Sequence, residues 1–180
     1  MLPQIELWNL FWTKLKSSMQ ADYVFFCKIN QPNGYLSNWW AAPFELDGVR
    51  YPTTEHFMMY QKALMMGDHA VAEQVLMATS PAQVKALGRK VKNFNPRLWD
   101  DQKFDIVLQG NLAKFRAYPD LLDRLLATGD SIIAEAADYD RVWGIGLSAG
   151  DARARDPAQW RGQNLLGKVL MEVRRRLRAN

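Results

Sequence analysis

The segment Thr54-Glu55-His56-Phe57-Met58-Met59-Tyr60-Gln61-Lys62-Ala63-Leu64-Met65-Met66 carries an acid and an amine seven residues apart. That spacing is two helical turns, so in a helix Glu55 and Lys62 share a face. The segment is apolar nearly all round, which argues that the helix is buried. A partly desolvated lysine loses basicity and becomes a nucleophile, and a carboxylate beside it can give or take a proton. Both residues also have ordinary structural uses. Glu55 in a first turn suits the helix dipole, and Lys62 can run its stem along apolar surface to reach water. His56 has no partner histidine on this helix and is expected to be packed and hydrogen-bonded.

A second group is Asp138-Tyr139-Asp140-Arg141-Val142-Trp143-Gly144-Ile145-Gly146. Its carboxylates precede a tryptophan and a glycine-bearing loop that lets backbone approach a ligand. Trp143 either stacks on a base or plugs the core. The spacing is not the dinucleotide fingerprint. In Ser37-Asn38-Trp39-Trp40, adjacent rings on an extended segment point to opposite faces, one to the core and one to a pocket wall. Arg89, in Gly88-Arg89-Lys90, and Lys114 are candidate phosphate contacts or ordinary surface cations. There is no nucleophile elbow, no P-loop and no HExxH pair.

These groups need a scaffold, and punctuation in the sequence outlines one. Val24 to Ile29 is expected as a strand, followed by a turn at Gln31-Pro32-Asn33-Gly34 and an extended run through Trp40. Phe44 to Tyr51 alternates around Asp47-Gly48, a hairpin signal. Thr54 is the expected N-cap of a helix from Glu55 to Met66, ended by Gly67. Asp68, Ser80-Pro81 and Asn95-Pro96 start three further helices, ending near Met77, Gly88 and Tyr118. Another helix is expected from Asp120 to Ala127, then a short strand from Ile132 to Ala136, a loop from Asp138 to Asp156, and a final amphipathic helix through Leu165, Val169, Val173 and Leu177. The fold class is α+β and helix-rich, one domain over residues 23–180 with a small antiparallel sheet. Residues 1–22 form an N-terminal extension in which Leu7, Trp8, Leu10, Phe11 and Leu15 fall near helical spacing.

The chain of 180 residues is long enough for one cored domain, and its apolar and charged fractions exclude a disordered, collagenous or coiled-coil protein. No stretch reaches the roughly 20 apolar residues of a membrane span, so no membrane partner is expected. A single cysteine, Cys27, excludes a disulfide framework and a cysteine-based zinc site. With two histidines and no secretory leader, the expectation is a cytoplasmic protein without a bound metal or redox cofactor. The net charge of +4 is local: residues 160–180 carry +5 and the rest of the chain −1. Such a patch either touches phosphate or simply solvates a helix C-terminus.

Taken together the segments resemble the NADAR superfamily, and within it the YbiA-like N-glycosidases. The matching pieces run from Leu36-Ser37-Asn38-Trp39 through Tyr51-Pro52-Thr53-Thr54-Glu55-His56-Phe57, Gln61-Lys62-Ala63, Gly88-Arg89, Trp99 and Lys114-Phe115 to Asp140, Trp143-Gly144 and Asn164-Leu165-Leu166-Gly167. The resemblance covers nearly the whole chain. It implies cleavage of N-glycosidic bonds to ribose. One implied substrate class is the phosphoribosylamino-pyrimidine intermediates of riboflavin synthesis. Another is ADP-ribose on guanine in nucleic acid. Carried over by position, the catalytic set is Glu55, Lys62 and Asp140. The substrate-binding set is Asn38, Trp39, Arg89, Lys114, Trp143, Gly144 and Asn164.

The residue types suit that chemistry. Leaving-group departure builds positive charge at the anomeric carbon, which a carboxylate stabilises. Lys62 could attack that carbon and hold the opened sugar as a Schiff base, with Glu55 or Asp140 as acid and base. Two features depart from compact family members: the extension 1–22, and a longer segment 147–159 that brings Arg153 and Arg155. Two arginines beside a site suit a phosphate or a polyanionic substrate. Three functions therefore compete: a small-molecule N-glycosidase, a hydrolase of ADP-ribosylated nucleic acid, and a silent ADP-ribose- or NAD-binding module.

Overall fold

A computed structural model describes residues 22–178. The hairpin forms where Asp-Gly predicted it. β2 (Phe44–Leu46) and β3 (Val49–Tyr51) pair antiparallel, and Asp47 and Gly48 both hold positive φ, 52° and 75°. Two such residues give the turn whose twist matches paired strands. Its inner rings pack on the next helix, Tyr51 meeting Phe57 edge-on at 5.1 Å between centroids.

That helix, α1 (Thr54–Met65), is buried along much of its length. Its N-cap is Thr53 rather than the expected Thr54. Thr53 keeps extended backbone, and its hydroxyl accepts from the His56 amide. Thr54 is already helical and fully buried. His56 is packed as expected, its ring nitrogens 2.8 Å from the Thr53 hydroxyl and 3.2 Å from the Ala78 carbonyl.

The next three caps fall on the anticipated residues. Asp68, Ser80 and Asn95 accept from amides three residues on, opening α2 (His69–Met77), α3 (Pro81–Gly88) and α4 (Pro96–Ala117). α5 (Pro119–Leu126) and α6 (Leu165–Arg178) complete the helices. α1 packs on α2, α3 and α4, and α6 lies against α4 and β4 (Ile132–Glu135). The main core joins Met58, Ala63, Leu108, Phe115, Val169 and Leu170.

Two expectations change. β1 (Tyr23–Phe26) pairs parallel with β4, Tyr23 opposite Ile132 and Phe26 opposite Glu135, so among the described residues only the hairpin is antiparallel. A parallel pair needs a crossover, and here the chain between β1 and β4 includes the hairpin and α1 to α5. The run expected to be extended through Trp40 instead begins as a 3-10 turn (Gly34–Leu36). The fully buried Lys114 enforces that bend, its ammonium donating to the carbonyls of Tyr35 at 2.6 Å and Ser37 at 3.2 Å.

Four of the six cations in the basic C-terminal patch find local partners. Arg175 and Arg176 pair with Glu172, and Arg178 pairs with Asp130. Arg174 is buried and donates to Thr128 and Ser131. The amphipathic segment expected within residues 1–22 lies outside the described residues, Asp22 excepted. No helix among the described residues is long and apolar enough to cross a membrane.

Candidate active site

Glu55 enters from the first turn of α1 and is 4% exposed. Two neighbours from the 37–39 segment hold it. The Asn38 carbonyl accepts its amide at 3.0 Å, and the Trp39 indole N–H donates to its carboxyl. Burial pushes the carboxyl up to about 7, against the pull of Lys85, the Trp39 N–H and Lys62, while Asp140 adds to the rise.

Lys62 stands two turns along the same face, half-buried. Its Nζ donates to the Gly88 carbonyl at 2.8 Å, at the C-terminal end of α3. The rings of Phe94 and Trp99 lie 4.3 Å and 5.7 Å away. Burial holds its pKa below the ordinary lysine value, and the charge of Glu55 opposes that shift.

Asp140 shapes the loop after β4. Its Oδ1 accepts from the amides of Val142 at 2.9 Å and Trp143 at 2.8 Å, closing the turn that sets Trp143 in the wall. A third carboxyl, Glu135, closes β4. Its amide donates to Asn164 Oδ1 at 3.0 Å and its carbonyl accepts from Ile145 at 2.8 Å. Burial pushes Glu135 up to about 8; Asp140 and then Glu55 add to the rise, and Lys85 opposes it.

These groups share one cleft of about 330 Å³. Trp39, Trp99 and Trp143 contribute rings, Met58 and Leu166 apolar floor, and Lys85, Arg89 and Lys103 cations. Of the residues singled out in the sequence, the cleft brings together Glu55, Lys62, Asp140, Asn38, Trp39, Arg89 and Trp143. Lys114, Gly144 and Asn164 are not in the lining but behind it. Lys114 supports the 37–39 segment, and Asn164 braces β4 by also donating to the Ile133 carbonyl at 2.9 Å. Gly144 is pressed so close that a Cβ would lie 2.9 Å from the Glu135 carbonyl oxygen and 3.0 Å from that of Asp140.

Lys85, Lys103 and Glu135 were not anticipated. The one signal for Glu135 is an acid ending the apolar run Ile132-Ile133-Ala134. Lys85 and Lys103 carry no local signal. The arginines of the long segment are engaged elsewhere. Arg153 forms a two-point pair with Asp151, and Arg155 lies over the Phe25 ring at 5.6 Å. Neither lines the cleft. Among the described residues, no group of three or more His, Cys, Asp or Glu is placed to hold a metal ion.

The family model of the NADAR domain matches residues 25–178. The chain belongs to the NADAR family. Among its relatives, an N-glycosidase of Acanthamoeba polyphaga mimivirus is 43% identical over 165 residues, covering 87% of this chain and 97% of its own. An N-glycosidase of Nostoc punctiforme is 32% identical over 155 residues, covering 86% and 92%. The fold is also that of the Escherichia coli protein YbiA, solved by NMR. It superposes with a TM-score of 0.74 at 28% identity, over 92% of this chain and 90% of that one. The YbiA sequence from the same species is named an N-glycosidase. The cleft described above thus lies within the NADAR domain.

Proposed function

We propose that this chain is an N-glycosidase that hydrolyses an N-ribosyl bond, with a phosphoribosylamino-pyrimidine intermediate of riboflavin biosynthesis as substrate. The observation that carries the proposal is the convergence of Lys62, with its lowered basicity, and the buried Glu55 in one tryptophan-walled cleft. The family and the relatives' names support the activity class. The size of the cleft, about 330 Å³, supports the substrate: it sits at the small end of the roughly 300–1,000 Å³ typical of ligand sites.

In this account the rings of Trp39 and Trp143 take the base, and Arg89 with Lys85 takes the phosphate. Lys62 attacks the anomeric carbon as the bond to the base nitrogen breaks, and the base leaves with a proton. The sugar ring opens to a Schiff base on Nζ, which water hydrolyses to free sugar phosphate and amine. Asp140 and Glu55 stabilise the positive charge at the anomeric carbon, and Glu55 takes the proton that the attacking amine sheds.

Removal of ADP-ribose from guanine in nucleic acid would use the same carboxylates and amine. The feature that favoured a polyanionic substrate, the arginine pair of segment 147–159, does not reach the cleft lining. The test is a paired assay on wild type and Lys62→Ala with the phosphoribosylamino-pyrimidine and with ADP-ribosylated guanosine, products read by mass spectrometry. Wild-type release from the pyrimidine substrate, lost in the variant, is expected. Release only from the guanosine substrate would transfer the assignment to nucleic-acid repair. Tight binding with no release would make the domain a binding module.

A further inference from the structure

Glu135 holds the one side-chain oxygen in the cleft lining that is buried without a hydrogen-bond partner, Oε2. A buried, unpaired carboxylate oxygen is costly, and neutralising the group by protonation is the ordinary escape. The backbone of Glu135 is anchored on three sides. Asn164 Oδ1 holds its amide, Ile145 holds its carbonyl, and its Cα is paired opposite Phe26. The side chain set on this anchored backbone lines the cleft beside Glu55, Lys62 and Asp140, so its carboxyl is placed to act on what enters there.

The groups around it separate its role from that of Glu55. Glu55 on α1 is faced by Lys85, Lys62 and Asp140, and it accepts the Trp39 N–H. The two lysines and the N–H favour its anion, and Asp140 opposes it. Glu135 is faced by Asp140 from the following loop, Glu55 from α1 and Lys85 from α3, with the Tyr139 phenol also near. Two of those are carboxylates that disfavour a second negative charge. Burial raises both acids, and the cations and the N–H gathered on Glu55 make it the one better able to carry the negative charge when the two divide into a proton donor and an anion.

We propose that Glu135 is a further catalytic residue: its carboxyl holds the proton in the resting enzyme and passes it to the leaving nitrogen, while Glu55 serves as the anion. The assignment rests on the N-ribosyl reading of the cleft. In the first half, the carbon–nitrogen bond to the base breaks with its electron pair going to nitrogen, which takes the Glu135 proton. Lys62 Nζ bonds to the anomeric carbon and gives its surplus proton to Glu55. In the second half, water bonds to that carbon and its proton goes to the Glu135 carboxylate. The bond to Nζ breaks, and Nζ recovers its proton from Glu55. Each acid thus ends in its starting state, as a general acid turned general base must.

The experiment combines kinetics with infrared difference spectra on the full chain. Glu135→Gln keeps the shape and hydrogen-bonding capacity but cannot deliver a proton. Its kcat/KM on the phosphoribosylamino-pyrimidine should fall by about 100-fold or more, the scale of a general acid. The alkaline fall of the wild-type profile, set near pH 8 by Glu135, should vanish. Glu135→Asp, which keeps a carboxyl, should restore an alkaline limb. The wild-type-minus-variant spectrum at pH 7 should show a protonated carboxyl band that disappears above pH 8. Overturning results are a folded Glu135→Gln enzyme with near-wild-type turnover and an intact alkaline limb, or wild-type base release without the band. A protein that shows the band but releases no base contradicts the N-ribosyl reading and leaves the protonated state of Glu135 standing.

Discussion

Lys62 Nζ donates to the Gly88 carbonyl at 2.8 Å, so the closest partner of the cleft's amine is a neutral backbone oxygen. A neutral amine can keep that hydrogen bond, whereas an ion pair with Glu55 would be lost on deprotonation. The contact depends on how near α3 comes to α1. At Gly88 the end of α3 packs on the Met59 side chain of the helix that carries Lys62, and a Cβ there would have to displace the Met59 sulfur. The amine is thereby fixed in the cleft without being locked as an ammonium, the condition a nucleophile needs.

The indole N–H of Trp39 favours ionised Glu55, so removing it should raise the Glu55 pKa above its present value of about 7. Trp39→Phe keeps a ring in the wall and deletes the donor. Because the account needs Glu55 as an anion, activity rises with pH on its acid side. The variant should therefore lose more kcat/KM below pH 7 than at pH 8, measured as a full pH–rate profile.

Glu135 should cost the fold stability as pH rises. Its folded-state pKa of about 8 lies above the ordinary 4.5, so the native state binds the extra proton between those values. The stability of this site is fully present below pH 4.5 and is lost as pH climbs through about 8. Glu135→Gln removes that loss. Its Tm should match wild type near pH 5 and exceed it at pH 8 and above, by thermal melts across the range.

Lys114 should act with the opposite sign. Burial takes its amine from 10.5 down to about 7, so the unfolded chain binds more protons between those values and stability at this site rises with pH. A neutral amine still has two N–H donors for its two carbonyl acceptors. Lys114→Met should flatten that rise. It should also destabilise the fold by about 1–3 kcal/mol per carbonyl left without a donor, read by denaturant titration.

Gly144→Ala should damage the site without touching a side chain in it. The new Cβ would press on the carbonyl oxygens of Glu135 and Asp140, both backbone. Forcing them apart should cost about 1–3 kcal/mol of stability and lower kcat more than it changes KM, since the acids move relative to the reacting bond.

Much of the scaffold was legible because its signals are local. Asp47-Gly48 specified the hairpin, and Asp68, Ser80 and Asn95 specified three helix starts through side chains that reach amides three residues away. Thr53 and Thr54 are adjacent residues of one type, and only the backbone angle decides which caps. The β1–β4 pairing was not legible, because parallel partners far apart in sequence leave no turn signature. Lys114 shows the same limit at the site. As a residue type it suits phosphate, but on α4 it points under the 37–39 segment, where only the tertiary fold shows its acceptors. Glu55 and Lys62 were readable because two helical turns place them on one face. Glu135 joins them only because the tertiary fold opens the end of β4 onto the same cleft as α1.

The most direct test of the account is trapping. Wild-type protein turning over the phosphoribosylamino-pyrimidine would be quenched with borohydride, and its intact mass and peptide map recorded beside the amount of free base. With Lys62 as the nucleophile, base release should come together with one reduced ribose-phosphate adduct per chain, located on Lys62 and absent from Lys62→Ala. Base release with no adduct, or an adduct on another lysine, would contradict Lys62 as the nucleophile. No release at all would contradict the N-ribosyl assignment of the cleft.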